Sequence, residues 1–78
     1  MNNINIKAFG IVAEKMETVE TAVKNVSDVE QLLKQLKETY PAIKDLKFTV
    51  AVDQKHIHGN MDLANTKEVA LLPPFSGG

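Results

Sequence analysis

Apolar residues along the chain follow two periods, and the change between them divides it into elements. Ile4, Ile6 and Ala8 alternate with Asn5 and Lys7, the two-residue period of a strand with one buried face, and Phe9 falls on the other face. Val19, Thr21 and Val23 alternate in the same way with Thr18, Glu20 and Ala22. Only the short segment from Gly10 to Lys15 and its flanks separates the two runs, so they are predicted to pair as a β-hairpin.

The period then lengthens. Val29, Leu32, Leu33, Leu36 and Tyr40 fall on one stripe of an α-helix, with Glu30, Lys34, Lys37 and Glu38 on the other side. Ser27 and Glu30 have the spacing of a capping box at the helix start. Pro41 disfavours helical geometry at Tyr40 and has no N–H to continue the ladder, so the helix is predicted to stop there. It is the only helix the pattern predicts. Phe48, Val50 and Val52 then alternate with Lys47, Thr49 and Ala51 in a third strand ending near Asp53. His56 to His58 reads as a short fourth strand, Gly59 and Asn60 as a turn, and Met61 and Leu63 as anchors of an irregular stretch. Glu68 to Leu72 is nearly continuous in apolar residues, which predicts burial on both faces or a central place in the sheet.

Four or five strands with one helix can bury their apolar face only by stacking, which predicts a two-layer α+β domain. The element order resembles that of the ubiquitin-like β-grasp fold. That resemblance implies a mixed sheet packed on one main helix, parallel first and last strands at its centre, and a free C-terminal tail. The division expected is a β-grasp body over residues 1–73 and a projecting Gly-Gly tail over residues 74–78.

Composition narrows the functional classes. A chain of 78 residues makes one small domain, and a net charge of -1 offers no broad field for nucleic acid or anionic lipid. There is no cysteine, so disulfides, thiolate metal sites and cysteine nucleophiles are excluded. No secretory signal or membrane span is read from the sequence, and the expected address is the cytoplasm. His56 and His58 would share one strand face and could share a metal, but with only Asp53 or Asp62 nearby as a third ligand they read as surface residues, and no metal is assigned. No acidic pair stands out as acid and base, and none of the GxGxxG, GxxxxGK or GxSxG motifs occurs.

Candidate chemistry is therefore concentrated in VALLPPFSGG, residues 69–78. Gly77 and Gly78 lack Cβ atoms and can thread a channel too narrow for other residues. Pro73 and Pro74 fix φ and favour an extended course, so the tail should leave the body in a defined direction. A given adjacent pair is Gly-Gly by chance in about one chain in 200. Phe9, Ala70, Leu72 and Phe75 are candidates for an apolar patch beside the tail, on the sheet face away from the helix. Coverage of Phe9 and Leu72 by loops fits the sequence equally well.

Leu72-Pro73-Pro74-Phe75-Ser76-Gly77-Gly78 resembles the terminal signature of MoaD, the family of small sulfur-carrier subunits of molybdopterin synthase. The likeness continues through Phe9 to Glu14, Ser27 to Leu33 and Ala51 to Gln54. The chain departs from the family at Ala13, often an arginine, at Asp53, usually an asparagine, and at Asn65-Thr66-Lys67, usually an Asp-Gly-Asp turn. The resemblance implies that an ATP-using, MoeB-like enzyme adenylates the Gly78 carboxylate and that a sulfur donor converts it to a thiocarboxylate. It implies that Pro74, Phe75, Ser76 and Gly77 then enter a MoaE-like large subunit, in a heterotetramer, and deliver sulfur to the cyclic pyranopterin precursor. Phe9 and Leu72 would belong to the docking patch, and the domain itself would bind no cofactor, nucleic acid or membrane. A thiamine-pathway carrier resembling ThiS, a lysine-conjugating protein modifier and a ubiquitin-like interaction domain with an inert tail are the other readings.

Overall fold

A computed structural model describes residues 3–57 and 59–74 of the chain. Its centre is a pair of parallel strands, β1 (Asn3–Ala8) and β5 (Glu68–Leu72), with Ile6 opposite Val69 and Ala8 opposite Leu71. Around them stand β2 (Glu20–Lys24), β3 (Thr49–Val52) and the two-residue β4 (Lys55–His56), in the order β2-β1-β5-β3-β4. Every pairing except β1 with β5 is antiparallel. This is the ubiquitin-like β-grasp arrangement. β5 owes its near-continuous apolar run to the central place, because its burial alternates: Val69 and Leu71 are fully buried, and Glu68, Ala70 and Leu72 only partly.

One sheet face carries Ile4, Ile6, Ala8, Val23, Val50, Val52, Val69 and Leu71 into the core. Against it pack Val29, Leu32 and Leu36 of the long helix α2 (Val29–Thr39), together with Ile43 of a following 3-10 turn (Pro41–Ile43). The turn replaces a plain stop at Pro41. Proline suits the first position of such a turn because its missing N–H would have no partner there.

The simple hairpin predicted from the sequence is corrected by a second helix, α1 (Gly10–Met16), between β1 and β2. Val12 and Met16, four apart, are both buried, whereas Glu14 and Lys15 are exposed. A helix of seven residues is too short to hold itself in water, so burial of those two side chains maintains it. Its end carries no glycine to mark it. Glu17 takes the left-handed conformation at φ 61 and directs its N–H to the Ala13 and Glu14 carbonyls. Strand β2 accordingly begins at Glu20, and Val19 is exposed. β3 begins at Thr49, one residue after Phe48, and the fourth strand is Lys55–His56. His58 lies outside the described residues.

The capping box also falls one residue later than predicted. Asp28 is the N-cap and its Oδ1 accepts from the Gln31 N–H at 2.9 Å, while Gln31 Oε1 accepts from the Ser27 N–H and hydroxyl. SDVEQ contains two overlapping frames, and the loop at 60–63 selects the second. There, Asn60 Oδ1 accepts from the Glu30 N–H at 2.9 Å and the Met61 carbonyl from the Val29 N–H at 3.0 Å. The N–H groups of Val29, Glu30 and Gln31, orphan donors of the helix start, are thus paired within the chain.

The departures at 53 and 65–67 also have a structural account. Asp53 and Gln54, at φ 48 and 72, make the two-residue turn between β3 and β4, in which both central residues need positive φ. Asp53 Oδ1 accepts from the Glu68 N–H at 3.2 Å and its own N–H donates to the Glu68 carbonyl at 2.9 Å, tying the turn to the start of β5. In the turn before β5, Thr66 is buried and donates its N–H to the Leu63 carbonyl at 3.1 Å.

Hydrogen bonds from the Gln31 backbone N–H, and then from the Asn60 amide, hold the Asp28 carboxyl below its ordinary value of 3.8. The folded carboxyl therefore binds its proton less tightly than the unfolded one. Its contribution is complete above that ordinary value and is lost as the pH falls through the lower, folded value. Asp28→Asn, which keeps a capping oxygen, should flatten the acid limb of the melting midpoint between neutral pH and about pH 3. A thermal melt series on both proteins measures this.

Candidate functional site at the root of the tail

The face of the sheet turned away from the helices is polar along β1 and β2 and at the start of β5, and apolar toward the end of β5. Strand alternation and register place Asn5 and Lys7 of β1, Glu20 of β2 and Glu68 of β5 on it. Lys7 Nζ lies 3.3 Å from Glu68 Oε1, and Asn5 Nδ2 donates to Glu20 Oε2 at 2.7 Å. At the end where β5 finishes, the same face carries Ala70, Leu72, Ala51 and Thr49, with Leu72 opposite Thr49 and Ala70 opposite Ala51.

Phe9 follows β1 at this apolar end and is 45% exposed, with Ile11 also exposed one residue into α1. Loops therefore do not cover Phe9. Leu72 is half-buried. The two residues proposed from the sequence lie at the same end of the central strand pair, since the Phe9 N–H donates to the Leu71 carbonyl at 3.0 Å. Pro73 is half-buried, Pro74 is exposed, and Phe75, Ser76, Gly77 and Gly78 lie outside the described residues.

The sequence reading did not single out Gly10. It has φ +56, and a Cβ placed on it would lie 2.6 Å from Cγ of Pro73. Its only sequence signal is a glycine between a strand and a weak helical spacing. Two grooves occur elsewhere, one of about 700 Å³ lined by Leu33, Lys34, Lys37, Pro41 and Lys44 among others, and one of about 460 Å³ between α2 and β3. Neither is lined by Phe9, Gly10, Leu72 or Pro73. Among the described residues no group of three or more His, Asp or Glu side chains could hold a metal ion, and no helix is long and apolar enough to cross a membrane. The lowered carboxyl of Asp28 is accounted for by helix capping.

The described body thus presents an apolar sheet end from which the chain continues into its last residues. A family model described as the ThiS family matches residues 6–78. The molybdopterin synthase sulfur carrier subunit of Caenorhabditis briggsae is 34% identical over 76 residues, 92% of this chain and 88% of that protein. SAMP1 of Haloferax volcanii, a small archaeal modifier protein, matches with a TM-score of 0.78 at 25% identity, covering 99% of this chain and 100% of that one. A chain from the complex of subunits 1 and 2 of molybdopterin-converting factor from Helicobacter pylori 26695 matches at 0.73 and 21% identity, with coverage of 99% and 100%, a likeness of fold. The chain belongs to the ThiS family and is grouped there with the molybdopterin synthase sulfur carrier subunits of the MoaD type.

Proposed function

We propose that this chain is the sulfur carrier subunit of a molybdopterin synthase and that Gly78 carries the sulfur. The observation that carries the reading is the near full-length likeness to a molybdopterin synthase sulfur carrier subunit. The chemistry of the residues supports it: a chain without cysteine has no thiol of its own to hold sulfur, and a Gly-Gly end offers an unhindered carboxylate.

In this reading a MoeB-like enzyme first joins the Gly78 carboxylate to the α-phosphate of ATP and releases pyrophosphate. A donor supplying a hydrosulfide equivalent attacks the acyl carbon, and the bond to the phosphate oxygen breaks as AMP leaves with the electron pair. The resulting thiocarboxylate is an anionic sulfur nucleophile, as thiolates are. Pro74 through Gly77 deliver it into a MoaE-like large subunit, where its sulfur bonds to a carbon of the cyclic pyranopterin precursor as an oxygen substituent leaves. Water then cleaves the acyl–sulfur bond, leaving sulfur on the precursor and a carboxylate on Gly78. Two sulfurs make a dithiolene, so two loaded carriers or two visits are needed, in keeping with a heterotetramer. Phe9 and Leu72 dock the body beside the entrance, because an exposed apolar end is a surface a partner can cover.

The likeness to an archaeal modifier protein favours a second reading, conjugation of the same terminus to lysines, which would give a ladder of conjugates in a blot of the host extract. A thiamine-pathway carrier would instead co-purify with a thiazole synthase.

Incubation with ATP, an adenylating enzyme and a sulfur source should raise the intact mass by the difference between sulfur and oxygen. Removal of Gly78 should abolish that gain and molybdopterin formation while leaving the melting midpoint unchanged. Phe9→Ser should weaken binding to the large subunit by about 1–2 kcal/mol, measured by titration calorimetry, with little loss of stability, since the ring is half in water already.

A further inference from the structure

We infer that Gly10 is a positioning residue for the tail: its missing side chain seats the ring of Pro73 and so sets the direction in which residues 74–78 leave the body. The inference rests on the sulfur-carrier reading, since direction matters only to a tail with a destination.

The backbone bonding at the end of the central strand pair carries the argument. In a parallel ladder one residue donates its N–H to the neighbouring strand and accepts, at its carbonyl, the N–H two residues further along that strand. Phe9 donates to the Leu71 carbonyl at 3.0 Å, so its carbonyl is due the N–H of residue 73. Residue 73 is proline and has none. The Phe9 carbonyl instead accepts the Val12 N–H at 3.2 Å and the Ala13 N–H at 3.5 Å, the first turn of α1. The ladder is thus closed on both sides at one level, and among the described residues no backbone bond holds the chain beyond Leu72 to β1.

Contact takes over where bonding stops. The Pro73 ring rests over Gly10, so close that a Cβ would stand 2.6 Å from its Cγ, a separation real Cβ atoms essentially never show. The ring is closed onto its own backbone. It cannot swing aside as a long side chain would, so relieving that overlap means moving the backbone of Pro73 itself. Pro74 follows directly and has its own φ restricted, which passes any rotation at Pro73 onward to the residues behind it. Gly10 is thus required for two separable reasons: a φ of +56, which asparagine also tolerates, and the space for the ring, which only glycine leaves.

Three variants separate these effects: Gly10→Asn, Gly10→Ala and Pro73→Ala. Gly10→Asn relieves the backbone requirement but keeps the overlap, and Pro73→Ala removes the ring while keeping the glycine. The wild-type chain should show nuclear Overhauser contacts between the Gly10 α-protons and the Pro73 ring protons. In the adenylation reaction, Gly10→Asn and Pro73→Ala should each lower kcat about tenfold with KM for the carrier within about twofold, since docking survives and insertion suffers. Gly10→Ala should do the same and melt earlier as well. A wild-type spectrum without the Gly10 to Pro73 contacts, or wild-type kcat in folded Gly10→Asn, overturns the inference while leaving the carrier reading standing. A wild-type chain that takes up no sulfur overturns the carrier reading, and the role of Gly10 with it.

Discussion

The parallel pairing of β1 with β5 is the constraint on which the other features depend. It joins the beginning of the described chain to its end across the middle of the sheet, with Ile6 opposite Val69 and Ala8 opposite Leu71. All four side chains are buried, so a shift of one residue in either strand would turn an apolar set toward water and a polar set into the core. The register is therefore strongly specified. Because it is, the point at which the chain leaves the body is specified too.

Two features follow from that placement. The apolar end of the open sheet face, with Phe9, Leu72 and Ala70, lies beside the exit because β1 and β5 finish together. The body can also remain plain. The two grooves described on it are not lined by Phe9, Gly10, Leu72 or Pro73, and the function proposed for it asks for a handle of reproducible shape. Preorganisation at the root would lower the ordering cost of inserting a tail into a partner.

The hydrogen bonds at the start of α2 show how distant segments complete one another. Asp28 and Gln31 close the helix locally, while Asn60 and Met61, some thirty residues on, accept the N–H groups of Glu30 and Val29. Asp53 does the same for β5 by binding the Glu68 N–H from the β3 to β4 turn. Loops that would otherwise be connectors thereby align the helix with the sheet. The substitution of aspartate for the family's usual asparagine at 53 keeps an acceptor oxygen where that alignment needs one.

The sequence alone determined the strands through Ile4 to Ala8 and Glu68 to Leu72, the long helix, the β-grasp order and the family, because two-residue and helical periods and the Pro-Pro-Phe-Ser-Gly-Gly ending are local patterns. Tertiary structure decided what local pattern leaves ambiguous. Seven residues from Gly10 to Met16 become a helix only because Val12 and Met16 find a core to fill, and their spacing is too brief to declare it beforehand. The capping frame at Asp28 was chosen by a loop thirty residues away, and the place of Gly10 against Pro73 arises only when the first and last strands are paired. Contacts between residues so far apart in the chain leave no periodic trace in it, and they appear when burial fixes the register that brings them together.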